Sequence, residues 1–313
     1  MNVLVTGGCG YKGSVLVPKL LDLNFNVHVI DTLWFGNYFQ PHENLFVEKM
    51  DIRAIDEETL AGKDVIIHLA SVANDPCGDL NPNLTWEISA LGTMLLVDKA
   101  VRCGVESFIY ASSGSVYGIQ EAEKVTEELP LRPISGYNKT KMIAERVLLS
   151  YADKISVKIV RPATVCGLSP RMRLDVTVNL LTMQALTKNE ITVLGGSQIR
   201  PNIHIEDVTD IYIKMLLNKN AYSGIYNAGF ENLSILSIAK MIQEKTDSKI
   251  IIKDSNDPRS YRISSDKIIN SGFSPTKSVD NAIDEIITGF KNSELHDDEN
   301  HYNLKWMQKI KVA

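Results

Sequence analysis

The sequence predicts an α/β protein built on a doubly wound parallel sheet, with a smaller C-terminal α/β lobe. Three observations carry this. Short apolar, β-branched runs alternate with helical segments through the first half of the chain. A glycine-rich turn, Thr6-Gly7-Gly8-Cys9-Gly10-Tyr11-Lys12-Gly13, joins the first run to the first helix. A Tyr-x-x-x-Lys pair, Tyr137 and Lys141, stands beyond the fifth run, inside Ser135-Gly136-Tyr137-Asn138-Lys139-Thr140-Lys141. Strands and helices in alternation imply a parallel sheet covered on both faces.

The elements follow in order. Residues 2–5 read as a strand and residues 11–23 as a helix, with Val15, Leu16, Leu20 and Leu21 on one face. Strand, glycine turn and helix in succession are the context of a dinucleotide-binding fingerprint. Gly7 allows the tight turn. Gly10 lets a pyrophosphate approach the backbone at a helix N-terminus, where unpaired N–H groups point. Gly13 lets the helix pack closely on the strand. Tyr11 and Lys12 lie in the same turn. Lys12 occupies a place where an apolar residue packs more easily, and its stem is expected to run to water. A second strand, 26–30, leads into Asp31, about twenty residues past the glycines, where a ribose-binding acid belongs. A carboxylate there accepts from the 2′-hydroxyl and repels a 2′-phosphate. The nearest following arginine is Arg53, so the expected dinucleotide is NAD rather than NADP.

Further strands are expected at 45–48, 64–68, 107–111 and 156–160, with helices over 84–103 and 137–151. Beyond them come a helix at 175–187, a strand at 192–194, the turn Gly195-Gly196, a helix at 207–217 and a strand at 225–228. Helices at 236–245 and 280–290 complete the second lobe. The division is a nucleotide-binding domain over 1–165, rejoined by 199–228, and a substrate lobe over 166–198 and 229–313. The charged tail, 293–313, carries Trp306 and Met307 and reads as a peripheral packing helix.

Composition sets the frame. The chain has 313 residues and a net charge of −5 with both signs mixed, which argues against a nucleic-acid surface. No signal peptide or membrane-spanning apolar run is seen, so a cytoplasmic protein is expected. The four cysteines, Cys9, Cys77, Cys103 and Cys166, lack CxxC spacing and suggest reduced thiols. The six histidines are scattered; no metal site is expected, and His68, at a strand end, reads as structural.

The chemistry is expected where strands end. The strand at 107–111 opens into Ser112-Ser113-Gly114-Ser115-Val116-Tyr117-Gly118, which puts hydroxyls at the ligand crevice of a parallel sheet. Tyr137 and Lys141 share a helix face. A tyrosine with an ordinary pKa of about 10 is a poor base at neutral pH. A nearby ammonium and a positive nicotinamide ring favour its phenolate. Tyr137 then takes a proton from a hydroxyl as hydride leaves the same carbon. Ser113 hydrogen-bonds that oxygen, and Lys141 also holds the nicotinamide ribose.

Other motifs accompany these: Asp51-Ile52, His68-Leu69-Ala70-Ser71, Arg161-Pro162, Asn179-Leu180, Arg200-Pro201-Asn202-Ile203-His204-Ile205-Glu206-Asp207 and Asp257-Pro258-Arg259-Ser260-Tyr261. With the glycine turn and the Tyr/Lys pair, they resemble the extended short-chain dehydrogenase/reductases of the NAD-dependent sugar-nucleotide epimerase/dehydratase family, such as UDP-glucose 4-epimerases, over nearly the whole chain. The resemblance implies a Rossmann domain and a nucleoside-diphosphate-sugar substrate. It places Asp51 and Ile52 at the adenine, and Leu69, Ala70, Ser71 and Ser89 along the cofactor. Ser113 becomes the likeness of the catalytic hydroxyl, Ser115 and Thr164 neighbours of the sugar, and Asn179, Arg200 and Arg259 contacts of the diphosphate. Two arginines offset a diphosphate in an acidic protein through bidentate contacts. The resemblance also implies a homodimer through a four-helix contact of 84–103 and 137–151.

The chain departs from the family at Ser89 and Thr164, where asparagine is usual, and at Cys166, where tyrosine is usual. The run Ser169-Pro170-Arg171-Met172-Arg173-Leu174-Asp175 is similar to a subgroup that includes enzymes acting at C4 of GDP-heptose. Arg171 and Arg173 are then phosphate or sugar contacts, or else loop anchors to Asp175. Relatives that dehydrate carry Asp-Glu after the catalytic hydroxyl, and decarboxylases a glutamate in that segment. Here Gly114-Ser115 stands there. Family frequency favours a 4-epimerase, with a C4 dehydrogenase or ketoreductase as the alternative. A non-catalytic NAD-binding regulator would tend to lose Tyr137 or Lys141, and both are present.

Overall fold

The computed structural model describes residues 1–218, 221–255 and 260–312. Twelve strands occur among them: β1 Asn2–Thr6, β2 Asn26–Asp31, β3 Leu45–Lys49, β4 Val65–His68, β5 Ser107–Ala111, β6 Ser156–Pro162, β7 Thr164–Cys166, β8 Glu190–Leu194, β9 Ile199–His204, β10 Gly224–Ala228, β11 Glu231–Ser234 and β12 Lys249–Lys253. Seven form the main sheet in the order β10-β6-β5-β4-β1-β2-β3, and every pairing in it is parallel. The chain winds outward in both directions from β1 and β4. Their carboxyl ends are therefore the switch point where ligands bind such sheets.

The apolar strands are explained by burial on both faces. Val3 and Val5 of β1 pack with Leu16, Val17 and Leu20 of helix Gly13–Asp22 and with Val208 and Ile211 of helix Ile205–Leu217. Leu4 points the other way, into a cluster with Leu96 and Val97 of helix Thr93–Arg102 and Ala144 and Leu148 of helix Gly136–Leu149. This alternation follows from the two-residue period of a strand. His68, fully buried, ties the layers together. Its Nδ1 meets Thr6 Oγ1 at 2.6 Å and its Nε2 meets Thr93 Oγ1 at 2.9 Å. Burial, then Lys141, lower its pKa to about 3, so it is neutral and structural.

The helix expected at 84–103 is not uniform. It runs Pro82–Trp86, opens into a π turn over Glu87–Gly92, and resumes as Thr93–Arg102. One constraint is visible at Gly92, where an added Cβ would come 2.8 Å from Ile52 Cδ1.

Two small sheets, β11-β9-β7 and β12-β8, build the second lobe. Its core joins Val178 and Leu181 of helix Thr177–Lys188 to Ile191, Ile238, Ile242 and Ile283. Two boundaries differ from expectation. Within 199–228, helix Ile205–Leu217 and β10 rejoin the main sheet, but β9 pairs with β7 and β11. The tail helix Asn303–Lys309 packs on the nucleotide-binding side, with Met307 in the Leu4 cluster and Trp306 Nε1 donating to Trp34 O at 2.6 Å. Among the described residues no helix is long and apolar enough to cross a membrane.

Candidate active site

A cavity of about 470 Å³ opens over the carboxyl ends of β1, β2, β4 and β5 and extends to the second lobe. Its walls carry most of the sequence-predicted residues. At one end are Gly7, Gly10, Tyr11, Lys12, Gly13 and Asp31, with Asp51, Ile52, Leu69, Ala70 and Ser71 beside them. At its centre are Ser113, Ser115, Tyr137 and Lys141, and toward the lobe Thr164, Arg171, Arg173 and Arg200.

The glycine turn is set by contacts that admit no side chain. Gly7 has φ +69°, and a Cβ there would lie 2.6 Å from the Ala70 backbone. A Cβ on Gly13 would lie 2.2 Å from Gly8 O. The third glycine thus permits the helix to close on its own turn, rather than on the strand as expected. At Gly10 a Cβ would meet only Gly7 O, at 3.2 Å. Its open face on the cavity fits a pyrophosphate lying against the backbone.

Asp31 ends β2 with its carboxylate fixed by two backbone donors, Cys9 N–H at 3.0 Å and Leu33 N–H at 2.8 Å. Burial raises its pKa and these bonds oppose the shift. Arg53 pairs with Asp51 and Glu87 instead of approaching Asp31. The arginine whose charge does reach Asp31 is Arg171, distant in sequence. It lies 3.8 Å from the Phe35 ring centre and donates from Nη2 to Asn303 Oδ1 at 2.6 Å, while its Nε is buried without a partner.

Tyr137 and Lys141 sit near the start of helix Gly136–Leu149, whose N-cap is Ser135: its hydroxyl accepts from Asn138 N–H at 3.1 Å. Lys141 Nζ donates to Ala111 O at 2.8 Å, and lies 4.8 Å from the Tyr110 ring centre and 5.9 Å from that of Tyr137. Ser113 meets Ser115 at 2.7 Å between hydroxyl oxygens and lies near enough to Tyr137 to favour its phenolate. Ser115 in turn donates to Asn138 Oδ1.

The electrostatics correct the expectation that Lys141 acidifies Tyr137. Burial pushes the Tyr137 phenol up to about 12; Arg173, then the Ser113 hydroxyl, oppose the rise, and Asp75 adds to it. The loss of hydration outweighs the cations because the phenolate would be the form removed from water. Lys141 is itself brought down to about 7, by burial first and by Lys12 second, with Glu145 opposing.

Lys12 is half-buried rather than free in water. Its side chain turns into the cavity, with Nζ 6.0 Å from the Tyr212 ring centre. Ser89 is off the wall, 99 % buried, and bonded to the Ser71 hydroxyl at 3.1 Å. Cys166 is buried in the lobe core. Asn179 is also off the wall: its amide donates to Tyr11 Oη at 3.0 Å and Arg173 O at 2.9 Å and accepts from Gly167 N–H at 3.1 Å. These partners occupy the group expected on the diphosphate, so Asn179 braces the loop. Arg173 is paired side-on with Asp175, at 2.9 and 3.1 Å, and also faces the cavity. The loop-anchor reading of that arginine is met by Asp175, and its place on the cavity wall is compatible with the ligand-contact reading. Arg259 lies outside the described residues.

The structure adds residues the sequence did not single out. Trp34, Phe35, Met50 and Ile88 give the Asp31 end an apolar lining. Asn74, at φ +74°, caps Cys77 N–H and donates to Asp175 Oδ2 at 3.0 Å. Asn74-Asp75-Pro76 was a legible helix-start signal, and Tyr261 closes a motif already noted, whereas Asn303, also on the wall, carried no local signal.

The chain is similar to known proteins in sequence and in fold. Residues 3–229 match the model of the NAD dependent epimerase/dehydratase family. The chain is 27 % identical to UDP-glucuronic acid decarboxylase 1 of Xenopus tropicalis, over 96 % of this chain and 75 % of that one. It is 27 % identical to a putative UDP-glucose 4-epimerase of Methanocaldococcus jannaschii, over 93 % and 99 %. The structure of UDP-glucuronic acid 4-epimerase from Bacillus cereus, in complex with UDP-glucuronic acid and NAD, superimposes with a TM-score of 0.83 at 25 % identity, covering 94 % of this chain and all of that one. A glycine turn open to a pyrophosphate, an acid closing β2 and a match over most of the chain meet in one conclusion: the chain belongs to the NAD dependent epimerase/dehydratase family, and its cofactor is NAD.

Proposed function

We propose that the chain is a nucleoside-diphosphate-sugar 4-epimerase, working by transient oxidation at C4 to a 4-keto sugar. The observation that carries this reading is the meeting of the Tyr137 and Ser113 hydroxyls on the cavity wall, with Gly114-Ser115 where a dehydratase has its acids. The nearby carboxylates are engaged, Asp175 with Arg173 and Asp75 with the Ser135 hydroxyl at 2.7 Å. Neither is free to expel water. Tyr137 receives the C4 hydroxyl proton, Ser113 hydrogen-bonds the same oxygen, and Lys141 supplies positive charge beside them. NAD bound there would supply the hydride acceptor, and inversion at C4 follows when the 4-keto sugar presents its other face for the hydride's return. Arg200, and Arg173 with it, offer guanidinium groups to the diphosphate, whereas Arg171 is held at the Asp31 end by Phe35 and Asn303. The Bacillus and Methanocaldococcus relatives support epimerisation, and the Xenopus decarboxylase is as similar to this chain as the Methanocaldococcus protein is, so the choice of reaction rests on the residues.

A net C4 dehydrogenase or ketoreductase uses the same groups. One observation favours it, the cation Lys12 on the wall beside the pair. Incubation with a panel of UDP-, GDP-, CDP- and dTDP-sugars separates the two. A C4-inverted sugar without net NADH is the expected result; NADH accumulating with a 4-keto product favours net oxidation.

The same reading includes a homodimer. Trp86, Leu91 and Met94, on the helical path 82–102, and Ile143, on helix Gly136–Leu149, are between 37 % and 43 % exposed. Pairing this apolar surface with a second copy would bury them in a four-helix contact. Light scattering at micromolar concentration should give a dimer for the parent and a monomer for Trp86→Glu combined with Leu91→Glu. A monomeric parent contradicts the proposal.

A further inference from the structure

Lys12 carries a charge that the glycine turn does not need. The turn is defined by backbone geometry, and an apolar side chain would pack at this position without cost. Instead the Lys12 side chain shares the cavity wall with Ser113, Tyr137 and Lys141. Its ammonium faces the ring of Tyr212, itself fully buried with an unpartnered hydroxyl. Among the described residues no carboxylate pairs with that ammonium, and its strongest charged neighbours are cations. Arg173 approaches from the loop after β7 with its charge offset by Asp175, and Lys141 from helix Gly136–Leu149.

We propose that Lys12 biases the bound dinucleotide toward its reduced form by placing an uncompensated cation against the hydride-accepting ring. The ring must lie where a sugar carbon can also reach the Tyr137 hydroxyl; Lys12 lines the same cavity, and its charge reaches Lys141, which lies 5.9 Å from the Tyr137 ring centre. Hydride transfer moves two electrons and one hydrogen from C4 to the ring, while the hydroxyl proton goes to Tyr137. The ring loses its positive charge in this step. A fixed cation nearby therefore disfavours NAD and leaves NADH untouched. At an effective dielectric of about 20 and separations below about 10 Å, Coulomb's law makes the preference roughly tenfold or more. Burial, then Arg173, lower Lys12 to about 8, which leaves it mainly charged at neutral pH. An ammonium on the pyrophosphate would behave differently. The phosphates keep their charge in both redox forms, so such a contact strengthens NAD and NADH equally.

The inference rests on NAD binding and not on which sugar reaction follows. It is read without substrate, so it and the epimerase reading can fail separately. The experiment is titration of the purified chain, freed of co-purifying dinucleotide, with NAD and with NADH. The ratio of the two dissociation constants is compared among the parent, Lys12→Met and Lys12→Arg. The parent preference for NADH should fall about tenfold in Lys12→Met and persist in Lys12→Arg. Lys12→Gln repeats the neutral test should Lys12→Met fail to fold. A ratio unchanged in the neutral variants overturns the proposal, and equal weakening of both ligands assigns Lys12 to the pyrophosphate instead.

Discussion

Tyr137→Phe is expected to lower turnover of the nucleotide sugar by about 10² to 10⁴-fold, the range of a lost general base. NAD affinity should stay within a few-fold of the parent, because the ring and its packing remain. Tyr137 is held near the start of a capped helix, close to Ser113 and set beside Lys141. The phenolic oxygen is the only atom removed by the substitution, so a large loss isolates its proton transfer. The assignment also carries a sign in pH. Burial holds the phenol high, up to about 12, and the active base is the phenolate. The parent rate should therefore rise with pH as that form becomes populated, with Arg173 and the positive oxidised ring drawing the rise toward neutrality. The variant should lose this limb. A Tyr137→Phe enzyme that turns over at the parent rate removes Tyr137 from the mechanism.

The second large effect is on stability. Glu145 and Arg161 form an ion pair in which both residues are about 1–2 % exposed. Arg161 Nε and Nη2 donate to the two carboxylate oxygens at 2.9 and 2.6 Å, and Ser112 Oγ donates to the same carboxylate. Arg161 Nη1 also reaches Tyr117 Oη at 2.6 Å, and Tyr117 in turn donates to Asn227 Oδ1 at 2.7 Å. The network joins the end of β5, helix Gly136–Leu149, β6 and β10. Removing one partner strands the other charge in the interior, at a cost of about 3–5 kcal/mol. Glu145→Leu and Arg161→Met should each show this loss in urea unfolding. The double variant should cost less than either single change, since no charge is left alone. Single variants within about 1 kcal/mol of the parent contradict a desolvated pair.

Much of this architecture was legible in the sequence because its signals are local. The strands at β1, β2, β4, β5 and β6 are apolar runs buried on both faces, and the helices between them show their periodicity directly. Gly7, Asp31 and Ser113 meet at one cavity because each lies at or just past a strand's carboxyl end, and helix Gly136–Leu149 brings Tyr137 and Lys141 to the same place. What was not legible depends on distance in the chain. The pairing of β9 with β7 and β11 joins short strands whose partners no local pattern specifies. Arg171 reaches the neighbourhood of Asp31 from a loop that only the fold brings there. Asn179 carries the family's motif, yet its amide is consumed by Tyr11, Arg173 and Gly167. The rise of the Tyr137 pKa had no sequence signal, because spacing reveals a neighbouring ammonium but not the water lost around a phenol. The cavity-facing course of Lys12 had no local signal for a related reason: what faces a side chain at a helix start is set by the fold.

The central claim is hydride removal and return at one carbon, and the hydride can be followed. The measurement uses an accepted nucleotide sugar carrying deuterium at C4, incubated with the purified chain and analysed by mass spectrometry and NMR. The account predicts a C4-inverted product that keeps its deuterium at C4, with no NADH accumulating. An inverted product with solvent hydrogen at that carbon, or inversion at a different carbon, would contradict it.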